Sequence, residues 1–421
     1  MSSSWTLSIC RAPIRGARYL RPPARQFGSH APTSTTLLDV LRLTQKDVVK
    51  LGGHWSMKQR STAALESSLG PNGGGPSTAI GFLLEGGMPA ATVKSVTLRD
   101  PSILWRSSKA AKTLSTWLCD RVGLTPDAIL KVIGSFPQIL GLSIDANLDP
   151  KLRRVCGRLG LEQEALIKFV TSTPSVLGLS WDDKMEPTIK WLEEDLGFSG
   201  SLAAKAVLKH PSILGLSIED NLRPKLHWLE DKWGMDRHQA AHVLSGSPSI
   251  FGLNVESNLE PKRKWIVGGL GLDRDAAVSL VYRCPNVLVV SLEKNLEHKV
   301  KWLRDALDAS HDQVMSMVTS YPSLLTFSVE RNLAPKIAFF CEEVGASLED
   351  IRKVAVANPR VMGCSTDGRL RPRAQAMREQ GLEPTLRNHV RVLTRLNNKE
   401  FEDKQKYRMV VVRLLIKSRP Y

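Results

Sequence analysis

The sequence predicts an all-α helical-repeat solenoid of about eight ~37-residue units, each made of two helices and a short 3₁₀ turn. Three observations carry this. Eight prolines (Pro101, Pro137, Pro174, Pro211, Pro248, Pro285, Pro322, Pro359) recur at one interval of 36 residues and six of 37. A glycine closes successive units at Gly123, Gly160, Gly197, Gly234, Gly271 and Gly345. Between them recurs Asn-Leu-x-Pro-Lys, a helix-opening phrase. A unit this short cannot bury its own apolar face, so neighbours must stack into one core.

With 421 residues, 42% of them hydrophobic and 24% charged, the chain can bury a large core. No uncharged apolar run reaches the ~18–20 residues that span a bilayer, so no membrane segment is expected. The formal charge is +16. Residues 1–38 hold five arginines and no Lys, Asp or Glu, and residues 369–421 carry a net +9, which leaves +2 for the long middle. A basic surface on the repeats therefore requires segregation of charge between faces. The six cysteines lie far apart with no C-x-x-C pair, which points to small buried hydrophobes in a reducing compartment and to no metal site.

The acid-free, Arg- and hydroxyl-rich residues 1–38 have the composition of an organelle transit peptide, and they lack a secretory apolar core. Arg25 to Ser29 resembles a matrix-protease cleavage site, favouring the mitochondrion over the chloroplast. The expected organisation is a transit peptide over 1–38, an N-terminal helix and Gly/Pro linker over 39–78, the solenoid over 79–382, and a basic helical tail over 383–421.

Within the unit Gly160 to Gly197, Leu161 to Ser172 reads as a first helix that Pro174 terminates. Pro174 to Ser180 is too short for an independent helix and too apolar for a solvent loop, which suggests a buried 3₁₀ turn. A hydroxyl or amide followed two residues later by a carboxylate recurs next, as in Ser143/Asp145, Asn254/Glu256 and Ser328/Glu330. Those carboxylates suit a helix N-terminus and are expected to be structural, not catalytic. The second helix is expected to take the motif's Asn as N-cap, which puts the proline in the first turn where its missing N–H is harmless. Leu148, Leu152, Val155 and Leu159 then form one apolar stripe, closed by Gly160 as C′ residue. Trp191, Trp228, Trp265 and Trp302, continued by Phe339, occupy one repeat position beside that stripe, where packing between repeats is the expected role.

A unit of the form Pro-x-[Ile/Val/Leu]-Leu-x-x-Ser-x-[Asp/Glu]-x-Asn-Leu-x-Pro-Lys-x-x-Trp-Leu-x-x-x-x-Gly resembles the mitochondrial transcription termination factor (mTERF) family over about residues 80–382. The resemblance implies a right-handed half-doughnut of helices whose concave basic face holds a nucleic acid duplex in mitochondria or chloroplasts. Departures from the pattern include Lys184 and Thr188, His298 for the proline, Asp308 for the closing glycine, and a weaker last unit around Arg369–Gly381.

Apart from that resemblance, the repeats carry rows of positive charge. The residue after the second proline is basic at Lys151, Lys225, Lys262, Lys299 (where His298 replaces the proline), Lys336 and Arg373. Two residues further, Arg153, Lys190, Lys264 and Lys301 form a second row, and Lys131, Lys168, Lys205 and Lys353 form a third on the first helices. The first two rows lie about 160° apart around a helix, so they cannot face one ligand. The row after the proline is expected to contact nucleic acid, together with Arg387, Arg391 and Arg395, whose four-residue spacing aligns them on one helical face.

No Walker loop, H-E-x-x-H or G-x-S-x-G occurs, and Gly268 to Gly271 ends a helix instead of opening one. An enzyme is not expected, and neither a cofactor, a metal nor a small-molecule substrate. The expected function is an organellar, monomeric double-stranded DNA-binding protein that terminates or regulates transcription, bound through phosphate neutralisation. The alternatives are an RNA-binding member of the same family, acting on structured organellar RNA in ribosome assembly or intron splicing, and a protein-binding solenoid scaffold.

Overall fold

The structure, a computed structural model, describes residues 78–379 without interruption, together with 41–44, 46, 47, 50, 51, 381, 383 and 384. The expected transit peptide, the Gly/Pro linker and Arg387, Arg391 and Arg395 lie outside the described residues. Among those described, the fold is all-α helical repeat, with one isolated bridge between Thr78 and Ser107 and no strand.

Each unit follows from its sequence in the same way. In Gln163–Ser172, Leu166, Phe169 and Val170 recur at helical spacing and are buried. The helix stops at Thr173, whose φ of −144° and ψ of 73° are outside the helical region, because the following proline ring disfavours it. The 3₁₀ turn Pro174–Gly178 then buries Pro174, Val176 and Leu177.

The second helix begins earlier than expected. Its N-cap is the preceding Ser or Asn, at Ser143, Ser180, Asn254, Ser291, Ser328 and Ser365, and not the motif's Asn, which lies inside the helix. Ser143 Oγ accepts from the Ala146 amide at 3.1 Å, and Ser180 Oγ from that of Asp183 at 3.2 Å. A cap there places the proline about seven residues into the helix, where an α turn would drive its ring against the carbonyl four residues back. The chain avoids this with a wide π turn. Leu148 N donates to Ser143 O at 3.0 Å and Met185 N to Ser180 O at 3.1 Å, each five residues back, which expands the turn that the proline must follow. Asp145, Asp182, Glu256 and Glu330 fall in these first turns and are exposed, where they complement the helix dipole.

The stripe Leu148, Leu152, Val155, Leu159 is buried as expected, and each such side chain contributes about 1.5–3 kcal/mol. Gly160 ends it at φ +62°. Asp308 takes the same left-handed conformation at φ +48°, and Arg352 Nη1 donates to its carbonyl at 2.5 Å and its carboxylate at 2.8 Å. In the tryptophan column Trp191, Trp228 and Phe339 are buried while Trp265 and Trp302 are half-buried. Trp228 Nε1 donates to Glu260 at 3.0 Å.

The chain divides into two compact units, Met1–Ile218 and Glu219–Tyr421. In the first, the first helices Pro126–Ser135, Gln163–Ser172 and Gly200–Lys209 pack in series. So do the 3₁₀ turns Pro101–Trp105, Pro137–Gly141, Pro174–Gly178 and Pro211–Gly215. In the second, Arg237–Gly246 packs on Arg274–Arg283, and His311–Ser320 on Leu348–Ala357. Ion pairs between successive second helices add register: Arg121–Asp149 at 3.1 Å and Arg158–Glu186 at 3.4 Å in the first unit, and Glu343–Arg371, with the polarity exchanged, at 2.7 Å in the second. Of the cysteines, Cys284 and Cys364 are buried as expected, Cys119 and Cys156 are half-buried, and Cys341 is exposed, contrary to expectation.

Candidate nucleic-acid interface

The basic row expected to meet phosphate is interior. Lys151, Lys225, Lys262, Lys299 and Lys336 retain only 1–6% of their exposure, and Arg373 2%. They belong to the apolar stripe of the second helix, Lys151 lying between Leu148 and Leu152. Each ammonium is occupied there. Lys151, Lys225, Lys262 and Lys336 donate to the Oδ1 of Asn147, Asn221, Asn258 and Asn332 at 2.8, 2.6, 2.5 and 2.9 Å.

A second set of bonds leaves the repeat altogether. Nζ of Lys151, Lys262 and Lys299 donates to the carbonyls of Leu177, Leu288 and Leu325 at 2.6, 2.7 and 2.8 Å, and Lys336 Nζ to that of Met362. Every acceptor lies 26 residues on, in the 3₁₀ turn of the following repeat. These lysines therefore fasten one repeat to the next. Burial pushes Lys262 and Lys336 down to about 8, and pulls Lys151, Lys225 and Lys299 in the same direction, since a charge away from water is disfavoured. Arg373 is lowered by burial too. A cation enclosed in this way cannot reach a phosphate, so this row is corrected from ligand contact to buried structural positions, with Lys151, Lys262, Lys299 and Lys336 as staples between repeats.

The second row, Arg153, Lys190, Lys264 and Lys301, is exposed. It stands over carboxylates four residues back, at Asp149, Glu186, Glu260 and Glu297. Arg153 pairs with Asp149 at 2.7 Å.

In the third row, Lys131, Lys168 and Lys205 are exposed on three first helices that pack in series within the first unit, and none of their ammonium groups makes an ion pair or hydrogen bond among the described residues. Packed helix axes lie about 8–10 Å apart, which brings the three ammonium groups onto one surface. One turn further along each helix stand Ser135, Ser172 and Lys209, and past the helix end the exposed Gln138, Ser175, Gly141, Gly178 and Gly215. Asp127 and Glu164 lie one turn the other way. In the second unit the same position holds His242, Ser279, Ser316 and Lys353, and Lys353 is paired with Glu349 at 2.5 Å. The unpaired basic strip is a feature of the first unit.

Among the described residues no group of three or more His, Cys, Asp or Glu is placed to hold a metal, and no helix is long and apolar enough to cross a membrane. The mTERF family model matches the chain twice, over residues 75–232 and 230–402. Comparison with curated proteins gives no significant match.

Proposed function

The chain belongs to the mTERF family, which makes it a nucleic-acid-binding protein of an organelle, and from that membership we propose that it is a mitochondrial double-stranded DNA-binding protein regulating or terminating transcription. The exposed strip Lys131, Lys168, Lys205 on packed first helices is the observation that supports a duplex-binding surface. Three lysines on one face neutralise neighbouring phosphates and release their counterions, a term that is independent of sequence. The protein acts by occupancy, with no chemical step. The mitochondrial placement rests on the five arginines and absent carboxylates of residues 1–38.

Crosslinking in isolated mitochondria followed by sequencing tests the reading. Recovery of a few discrete genomic DNA sites is expected. Recovery of ribosomal or intron RNA without a DNA peak would replace DNA by RNA as the target. Failure to find the protein in mitochondria would overturn the location.

A further inference from the structure

The first repeat carries two charged residues, one of them a break in the pattern of the array, that line one cleft. Just after its 3₁₀ turn, where later repeats carry Leu142, Leu179, Leu216, Leu253, Val290 and Phe327, it carries Arg106. Just before the turn, at a position that varies along the array (Phe136, Thr173, His210 and Ser247 in the next four repeats), it carries Asp100. Both side chains line an open cleft with Ser102, Trp105, Gln138, Gly141 and Leu142, between the 3₁₀ turns of the first two repeats.

One polar group in this cleft is left without a partner. Asp100 is 7% exposed, and its Oδ1 accepts the Ser102 amide at 3.1 Å. Arg106 Nε is buried without a hydrogen-bond partner, and the two side chains form no ion pair with each other. A Cβ at Gly141 would overlap the Arg106 guanidinium, so glycine is what admits it. In the next two repeats the equivalent space is closed by carbon: the Phe136 ring lies against Gly178 and the Leu179 side chain against Gly215. A guanidinium nitrogen buried without a partner is unfavourable unless a ligand completes its hydrogen bonding.

The ligand must present donors to a carboxylate and acceptors to a guanidinium, on a flat frame that can lie beside the half-buried Trp105. Guanine does this with its N1–H and N2–H₂ donors and its O6 and N7 acceptors. The cleft also opens beside Gln138 and Gly141, at the edge of the lysine strip. We infer that it binds one unpaired guanine of the bound nucleic acid, with Asp100 accepting from the base and Arg106 donating to it. This rests on the nucleic-acid-binding reading, but not on the choice between DNA and RNA.

The test uses the full chain and fifteen-residue oligothymidylates carrying one central base. Central guanine should bind about 10- to 100-fold tighter than central adenine, the discrimination of a good bidentate contact. Central inosine, lacking the 2-amino group, and 7-deazaguanine, lacking N7, should each lose part of that preference. Asp100→Asn keeps the acceptor for the Ser102 amide yet should stop distinguishing guanine from inosine. Arg106→Leu restores the residue of the later repeats, should fold at least as stably, and should stop distinguishing guanine from 7-deazaguanine. Equal binding of guanine and adenine, or a preference that survives both substitutions, would overturn the inference. Salt-dependent duplex binding in the same preparation separates its failure from that of the nucleic-acid reading, since loss of duplex binding would sink both.

Discussion

Lys336→Met is the sharpest test of the staples, because its consequence has a pH signature. The side chain is 1% exposed and its ammonium donates to Asn332 Oδ1 at 2.9 Å and to the Met362 carbonyl. Methionine keeps the stem and volume but leaves both acceptors without that donor, at about 1–3 kcal/mol each. Against this, burial holds the ammonium at about 8 instead of 10.5, a charging cost of about 3 kcal/mol that methionine does not carry. At pH 7 the variant should therefore lie between a gain of about 1 kcal/mol and a loss of about 3 kcal/mol. The sign of the pH dependence follows from linkage. Between about 8 and 10.5 the unfolded chain binds more protons at this site than the folded one, so native stability rises with pH there. The native lysine pays its charging cost in full below pH 8 and sheds it as pH rises toward 10.5, so the gap between native and variant should widen by about 2–3 kcal/mol from pH 7 to pH 10. Denaturant unfolding of both proteins at pH 7, 8.5 and 10 measures the gap, with other titrations cancelling in the difference. A gap that stays constant or narrows would refute the staple.

Two further outcomes test the frame around the staples. Glu260 accepts from Arg263 Nη2 at 2.7 Å and from Trp228 Nε1 at 3.0 Å, which with burial opposing holds its carboxyl at about 2. Its stabilisation is present above the ordinary carboxylate range and lost as pH falls toward 2, so Glu260→Gln should differ from the native chain by about 1–3 kcal/mol at pH 6 and by much less at pH 2.5 in unfolding assays. Gly160 sits at φ +62° with nothing within 4 Å of where a Cβ would be. Gly160→Ala should therefore cost only the backbone term, about 1–2 kcal/mol in thermal or denaturant melts, without displacing any neighbour.

The repeat and its helices were legible because proline, glycine and apolar spacing act locally: Pro174 stops a helix wherever it falls, and Gly160 takes a left-handed φ without steric penalty. The helix start was misjudged at the motif's Asn because a proline seven residues into an α-helix is unfavourable, and sequence gives no local sign that a π turn will absorb it. The lysine row was not legible as buried for a different reason: Lys151 shares a face with Leu148, Leu152 and Val155 wherever the helix begins, but a lysine is ordinarily a surface residue. One signal was present, since the lysine lies three residues after one stripe leucine and one before the next, with an Asn four residues back in five repeats. The acceptor 26 residues on lies in another repeat and could not be read locally. The exposed strip Lys131, Lys168, Lys205 was visible as a periodic row, but only the fold separates it from the buried one.

The central claim, that nucleic acid meets the first-helix strip and not the staple row, is tested most directly by the salt dependence of duplex binding. Lys131, Lys168 and Lys205 are changed together to Gln, and compared with Lys190, Lys264 and Lys301 changed to Gln, an equal loss of charge. The first variant should keep its melting transition, bind duplex roughly 10- to 1000-fold more weakly at physiological salt, and show a log–log salt slope reduced by about 2–3, as three lost phosphate contacts require. The second should lose markedly less. Equal losses from both variants, or an unchanged slope in the first, would contradict the assignment of the binding surface.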